Sequence, residues 1–215
     1  MEYEVRYYYP AEKVDSMIEK LKSIKGLKMG SRCYEKTEQF DHPNNEMSFY
    51  SKEIDGRFRI RVTKNDEIAK CKISWKRRIP TTTTTDVNQE EEVELSIKYN
   101  EYDNLMFLIN NVLKMKSVES YERYRTIFTN DEIEISVDEY PFGVALEIEN
   151  KSNSKKPKEV VRKWAKILGL DINKTYRLSW DDKYSELCKS QNIKQYNHVT
   201  FDKPMPKVIE WNFVI

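Results

Sequence analysis

Ionised and apolar residues alternate along much of this chain. Glu2, Glu4 and Arg6 are interleaved with Tyr3, Val5 and Tyr7; Arg57, Arg59 and Arg61 with Phe58 and Ile60; Lys70, Lys72, Ser74 and Lys76 with Cys71, Ile73 and Trp75. Glu90, Glu92 and Glu94 stand against Val93, Leu95 and Ile97, Glu132, Glu134, Ser136 and Asp138 against Ile133, Ile135 and Val137, and Glu147 and Glu149 against Leu146 and Ile148. A period of two belongs to a strand with one apolar and one polar face. The pattern predicts an N-terminal strand, strands over about 31–41, 47–53, 56–64 and 69–78, one through Glu90, and strands over about 118–128, 131–139 and 143–150.

Helical spacing takes over between them. Pro10 opens a helix to about residue 24, with Val14, Met17, Ile18 and Leu21 on one face and Gly26 as its stop. Leu105, Leu108, Ile109, Val112 and Leu113 mark one face of a second helix. A polar, basic linker over 152–157 leads into a third, which buries Val160, Val161, Trp164 and Leu168 and ends at Gly169; a last helix covers about 181–190. Pro80 and the threonines at 81–85 form a long, polar, strand-breaking loop, with phosphate binding through the hydroxyls as a second reading.

The polar faces are unusual. Three arginines at alternate positions repel one another, and so do three glutamates. Both arrangements are tolerated if acidic strands face basic strands across a shared space, or if a polyanion and metal cations fill it. An antiparallel barrel with a wet, charged lumen and an apolar outside covered by helices satisfies this; for any single segment a solvated sheet face is the plain alternative.

Several of these segments carry a resemblance. Glu2-x-Glu4-x-Arg6 resembles the opening Glu-x-Glu-x-Lys/Arg of the CYTH, or triphosphate tunnel metalloenzyme, superfamily. Phe40-Asp41-His42-Pro43 is similar to its aromatic-Asp-x-Pro turn, Arg57 to Arg61 to its Leu-Arg-Ile-Arg strand, and Ile73-Ser74-Trp75-Lys76 to its Leu-Thr-Tyr-Lys strand. Arg123-x-Arg125 sits where that family has Lys-x-Arg, and Asp138, Gly143 and Glu147-Ile148-Glu149 resemble its close. The match runs in order over roughly 2–185. It implies an α+β fold, an antiparallel eight-stranded closed β-barrel with helices outside, occupying 1–195. The tail over 196–215 reads as a strap on the barrel, or else as a contact to a second subunit, so the protein is expected as a monomer or homodimer.

A triphosphate carries about four negative charges near neutral pH, so its site needs several cations and metal ions. Arg57, Arg59, Arg61, Lys72, Lys76, Arg123 and Arg125 are candidate phosphate ligands, with Arg6 from the first strand. Glu2, Glu4, Glu147 and Glu149 are candidate metal ligands, with Asp138 beside them; carboxylates without thiolate or imidazole favour Mg²⁺ or Mn²⁺. The resemblance implies that Glu2 and Glu4 hold a metal with a carboxylate of the last strand and that water attacks the terminal phosphorus in line. Glu4, Lys76, Arg125 and Glu94 are the candidate catalytic groups, with Glu94 or Glu149 as general base. His42 and His198 fall outside the pattern.

Composition narrows the reading. Charged residues make up 34% of 215, yet 37 basic against 36 acidic leave +1, which argues against binding long nucleic acid by overall field. Cys33, Cys71 and Cys188 are too few and too scattered for a disulfide framework or a zinc cluster. With no long apolar run and charge directly after Met1, the expectation is a soluble, cytoplasmic protein with no membrane partner. The expected activity is metal-dependent hydrolysis of tripolyphosphate or a nucleoside or organic triphosphate. The alternatives are an RNA 5′-triphosphatase acting on an RNA end, a class IV adenylate cyclase, whose His-Phe pair before proline the chain lacks, and a non-catalytic binder of a phosphorylated ligand.

Overall fold

The computed structural model describes residues 1–79 and 87–209, so Pro80, the threonines at 81–85 and the tail residues Trp211, Phe213 and Val214 lie outside the described residues. The elements in chain order are β1 (Glu2–Tyr9), α1 (Val14–Ser23), β2 (Lys28–Met29), β3 (Cys33–Asp41), β4 (Gly56–Lys64), β5 (Ala69–Arg78), β6 (Asn88–Lys98), α2 (Tyr102–Phe107), β7 (Lys116–Thr129), β8 (Ile133–Tyr140), β9 (Gly143–Asn150), α3 (Pro157–Ile167), α4 (Trp180–Gln191) and β10 (His198–Val199). Strands β3-β4-β5-β6-β1-β9-β8-β7 pair antiparallel in that order, and β7 pairs β3 again, which closes an eight-stranded barrel. Short β2 and β10 add to the outside of β7, β10 in parallel.

Strand parity sorts the side chains as the alternation demands. The apolar parity faces out and is covered by helices: Val5, Tyr7 and Tyr9 of β1, with Ile133, Ile135, Val137, Leu146 and Ile148, pack against Met17 and Leu21 of α1 and Val161, Trp164 and Ala165 of α3. Each fully buried Ile or Phe there contributes about 1.5–3 kcal/mol of transfer free energy. On the far side Phe40, Ile60 and Cys71 pack against Ile109 and the α2 side chains Tyr102, Leu105 and Met106. A third apolar cluster, with Tyr121, Tyr140, Phe142, Trp180, Tyr184, Val199, Met205 and Val208, seals one end of the barrel. Through it the tail up to Ile209 lies along the barrel, fixed by β10 and by the Val208 N–H to Phe142 carbonyl bond of 2.8 Å. No helix among the described residues is long and apolar enough to cross a membrane.

Two expected elements differ. Residues 47–53 form no strand; a 3₁₀ turn over Asn45–Met47 leads into a loop. There the Asp41 carboxylate accepts from the Phe49 amide at 2.7 Å and the Ser48 hydroxyl at 2.7 Å, and the Asn44 side chain accepts from the Glu46 amide. These side chains capture backbone donors that a ladder would need. Phe49 turns onto Trp75, 5.2 Å between ring centroids, and a Cβ on Gly56 would stand 2.3 Å from that same indole. In the second helix only Ile109 of the expected stripe is buried, while Leu108, Val112 and Leu113 are exposed. After Phe107 the helix passes into a π turn over Leu108–Val112, closed by Leu113 N–H to Leu108 carbonyl, and the wider turn rotates the later residues off the barrel.

Candidate functional site

The charged parity of every barrel strand points into one lumen, a cavity of about 270 Å³. Register decides which charges meet. Because β6 runs antiparallel to β1 with Glu2 opposite Glu90, and β9 with Glu4 opposite Glu149, the N-terminal carboxylates sit between the two other acidic strands. Oxygens of Glu2, Glu4 and Glu90 lie within 4.8 Å of one another, all buried. Lys76 of β5 reaches the same point, 2.6 Å from Glu2, 2.6 Å from Glu90 and 3.4 Å from Glu4. The Glu2 and Glu90 Oε2 atoms have that ammonium as ion-pair partner but no aligned hydrogen bond to it, so one lysine is shared among three carboxylates.

Crowding shows in the proton affinities. Burial raises the Glu2 carboxyl, but the Lys76 ammonium and hydrogen bonds with Glu92 and Glu149 outweigh it and bring it to about 2. Its neighbour Glu149 moves the opposite way, pushed up to about 8 by burial and then by the Glu2 charge, with Lys151 offsetting in part. Glu2 and Glu149 thus move apart, as neighbouring carboxylates do. A divalent cation beside them would favour the charged form of both.

Across the lumen the arginines are matched. Arg123 is pinned by Glu35 at 2.6 Å and Asp138 at 2.8 Å, and Arg125 reaches Asp138 and, at 2.9 Å, Glu147. Arg6 joins Glu147 at 2.5 Å and Glu4 at 2.9 Å. Burial raises the Glu35 and Glu147 carboxyls, yet the neighbouring guanidiniums win and hold both far below the carboxylate range. Arg59 spans Ser74 and Glu92, and Arg61 spans Thr37 and the Tyr121 phenol oxygen. At the sealed end Trp180 and the Asp181 and Asp182 carboxylates of α4 close over Arg57 and Arg78, which share Asp55.

The structure thus brings Glu2, Glu4, Arg6, Arg59, Arg61, Lys76, Arg125, Glu147 and Glu149 onto one lumen. Asp138, expected in the metal set, is fully buried outside both the carboxylate group and the cavity lining, because Arg123 and Arg125 take both of its oxygens. Glu147 likewise stands outside the close carboxylate group, engaged by Arg6 and Arg125. Glu94 sits beyond the N-terminal end of β1, paired with Lys72 at 2.6 Å, and both are partly exposed. Arg57 lies at the sealed mouth. Glu90, Glu92, Glu35, Arg78 and Tyr121 also line the lumen and went unassigned. Glu90 carried the same alternation as Glu94, and only the β1–β6 register separates them.

No protein family profile and no curated protein sequence matches the chain. Solved structures do. The PH1819 protein of Pyrococcus horikoshii superposes with a TM-score of 0.62 at 21% identity, covering 86% of this chain and 99% of that one. A putative adenylate cyclase from Vibrio parahaemolyticus gives 0.61 at 15%, covering 85% and 98%. The chain shares the closed-barrel fold of these proteins. A third likeness is to HpAC1 of Hippeastrum, described as a putative adenylyl cyclase with a dominant triphosphatase activity, at a TM-score of 0.56 and 17% identity over 91% of this chain and 98% of that one.

Proposed function

We propose that the protein is a divalent-metal-dependent triphosphatase that releases the terminal phosphate of a compact triphosphate inside the tunnel. The observation that carries the reading is the group Glu2, Glu4 and Glu90, buried carboxylates that share Lys76, with Arg6 at Glu4, facing arginines across the barrel lumen. An all-carboxylate donor set fits Mg²⁺ or Mn²⁺. Glu2, Glu4 and Glu90 would hold the ion, with Glu149 adjacent; when bound it supplies charge neutralisation on the phosphate oxygens and a more acidic water.

The chain's own residues do the rest. Arg59, Arg61, Lys76 and Arg125 would bind phosphate oxygens, exchanging their present carboxylate, hydroxyl and phenol partners for substrate. Arg123, held on both sides by carboxylates, would keep Arg125 and Tyr121 in place. The lumen of about 270 Å³ lies just below the roughly 300–1,000 Å³ of common small-molecule pockets, which favours a polyphosphate with little attached to it. HpAC1's described triphosphatase activity points the same way.

The test is product analysis with tripolyphosphate, ATP and triphosphate-ended RNA, each with Mg²⁺, Mn²⁺ or EDTA. Inorganic phosphate released only with metal is the expected result. Pyrophosphate with a cyclic nucleotide would replace hydrolysis by cyclisation, and ligand binding without turnover would replace it by sequestration.

A further inference from the structure

We propose that Tyr121 is a phosphate-binding residue: in the empty protein its phenol oxygen holds the place of a phosphate oxygen on Arg61, and bound polyphosphate turns it into a hydrogen-bond donor. The inference rests on the triphosphate reading above and adds to it a residue that carries no motif.

Tyr121 lines the lumen from β7 and is 1% exposed. Its ring is wedged by Trp180 at 4.4 Å and Tyr140 at 5.7 Å between centroids, so the hydroxyl has one direction to point. Arg61 Nη2 donates to it at 3.3 Å, and the Arg123 guanidinium carbon lies 5.8 Å from its ring centroid. The groups facing it are Arg59 and Arg61 from β4, Thr37 and Glu35 from β3, Arg123 on its own strand and Tyr140 from β8. Arg123 is taken by Glu35 at 2.6 Å and Asp138 at 2.8 Å, and Arg59 by Glu92 at 3.1 Å; Arg61 has its nearest carboxylate, Glu35, at 3.7 Å. Arg61 is therefore the cation that donates to the phenol oxygen.

Burial alone raises a phenol, as it does for the neighbouring Tyr140. For Tyr121 the guanidiniums of Arg61, Arg123 and Arg59 outweigh burial and bring it to about 7. A polyphosphate engaging Arg59 and Arg61 brings its own negative charge to them, so the phenol regains its proton and offers it to a phosphate oxygen. Binding is then linked to proton uptake.

The experiment measures protons exchanged when a non-hydrolysable triphosphate analogue binds without divalent metal, in weak buffer with a pH indicator and with tyrosinate absorbance recorded, at pH 6 and pH 8. Wild type is compared with Tyr121→Phe, which keeps the ring that packs on Trp180. At pH 8 wild type should take up close to one proton more per analogue bound than the variant, with loss of tyrosinate absorbance. At pH 6 that difference should vanish, and the variant should bind the analogue about tenfold more weakly for want of a charge-assisted hydrogen bond. Analogue binding with equal proton uptake in the two proteins would overturn the role of Tyr121 and leave the triphosphate reading standing. Failure of the analogue to bind either protein without metal, where it binds wild type with Mg²⁺, would overturn the role of Tyr121 alone; failure with and without Mg²⁺ would overturn both.

Discussion

On the β7–β8 side of the tunnel, buried arginines and buried carboxylates answer one another: Arg123 and Arg125 share Asp138, and Glu35 and Glu147 take what remains. On the β5–β6–β1 side, Glu2, Glu4 and Glu90 converge on Lys76, with Arg6 reaching Glu4 but already shared with Glu147, and Glu92 and Glu149 stand beside Glu2. The first arrangement is complete as it stands, and removing one partner strands a buried charge. The second has more negative charge than its own cation neutralises, so it gains when a further cation arrives. One half of the wall is closed by its own ion pairs, from which Arg125 alone would turn to substrate, and the other is short of positive charge, though both look equally charged.

The largest expected effect tests the closed half. Asp138→Ala leaves two buried guanidiniums without their common carboxylate and should lower unfolding free energy by about 3–5 kcal/mol in urea titration. Stability unchanged by that substitution would mean that Arg123 and Arg125 are not held as described. Glu4→Ala should do the reverse, leaving the melting temperature unchanged or raised while metal-dependent phosphate release falls by about 10²–10³-fold. A Glu4→Ala enzyme at wild-type rates under saturating Mg²⁺ and Mn²⁺ sinks the metal site.

Lys76→Met sharpens the contrast. Without its shared ammonium the carboxylate group should cost the metal-free protein about 2 kcal/mol, and Mg²⁺ or Mn²⁺ should raise its melting temperature by more than it raises that of wild type. Equal metal shifts in both proteins would separate Lys76 from the site.

The smallest effect is a pH slope. Glu149 is raised from the ordinary carboxylate range to about 8, so its contribution to stability is full below the unfolded value near 4.5 and is lost as pH rises through 8. Metal-free wild type should lose of order 1 kcal/mol between pH 6 and pH 9, and Glu149→Gln or added metal should flatten that slope. Glu35 and Glu147, both depressed, act in the opposite sense: their contribution is present above pH 4.5 and disappears only as acid carries the solution down through their folded-state values.

The barrel was legible in the chain because its strands obey a period of two on both faces, and nearly every strand falls where that period places it. The segment 47–53 escaped because Asp41, Asn44 and Ser48 compete for backbone amides, a local contest that alternation does not report. The second helix escaped in part because a π turn changes the period inside it.

By itself the sequence determined which residues are charged, which strand each occupies and that the charges of a strand share one face, since parity binds a side chain to a face. Which charges touch was decided only in three dimensions. Pairing slides in steps of two without disturbing parity, so Glu90 and Glu94 are equivalent on the chain, and only closure of β6 on β1 sets Glu90 against Glu2 and leaves Glu94 at the mouth with Lys72. The same closure draws Asp138 behind two arginines and turns a residue with the look of a metal ligand into a buried counter-ion.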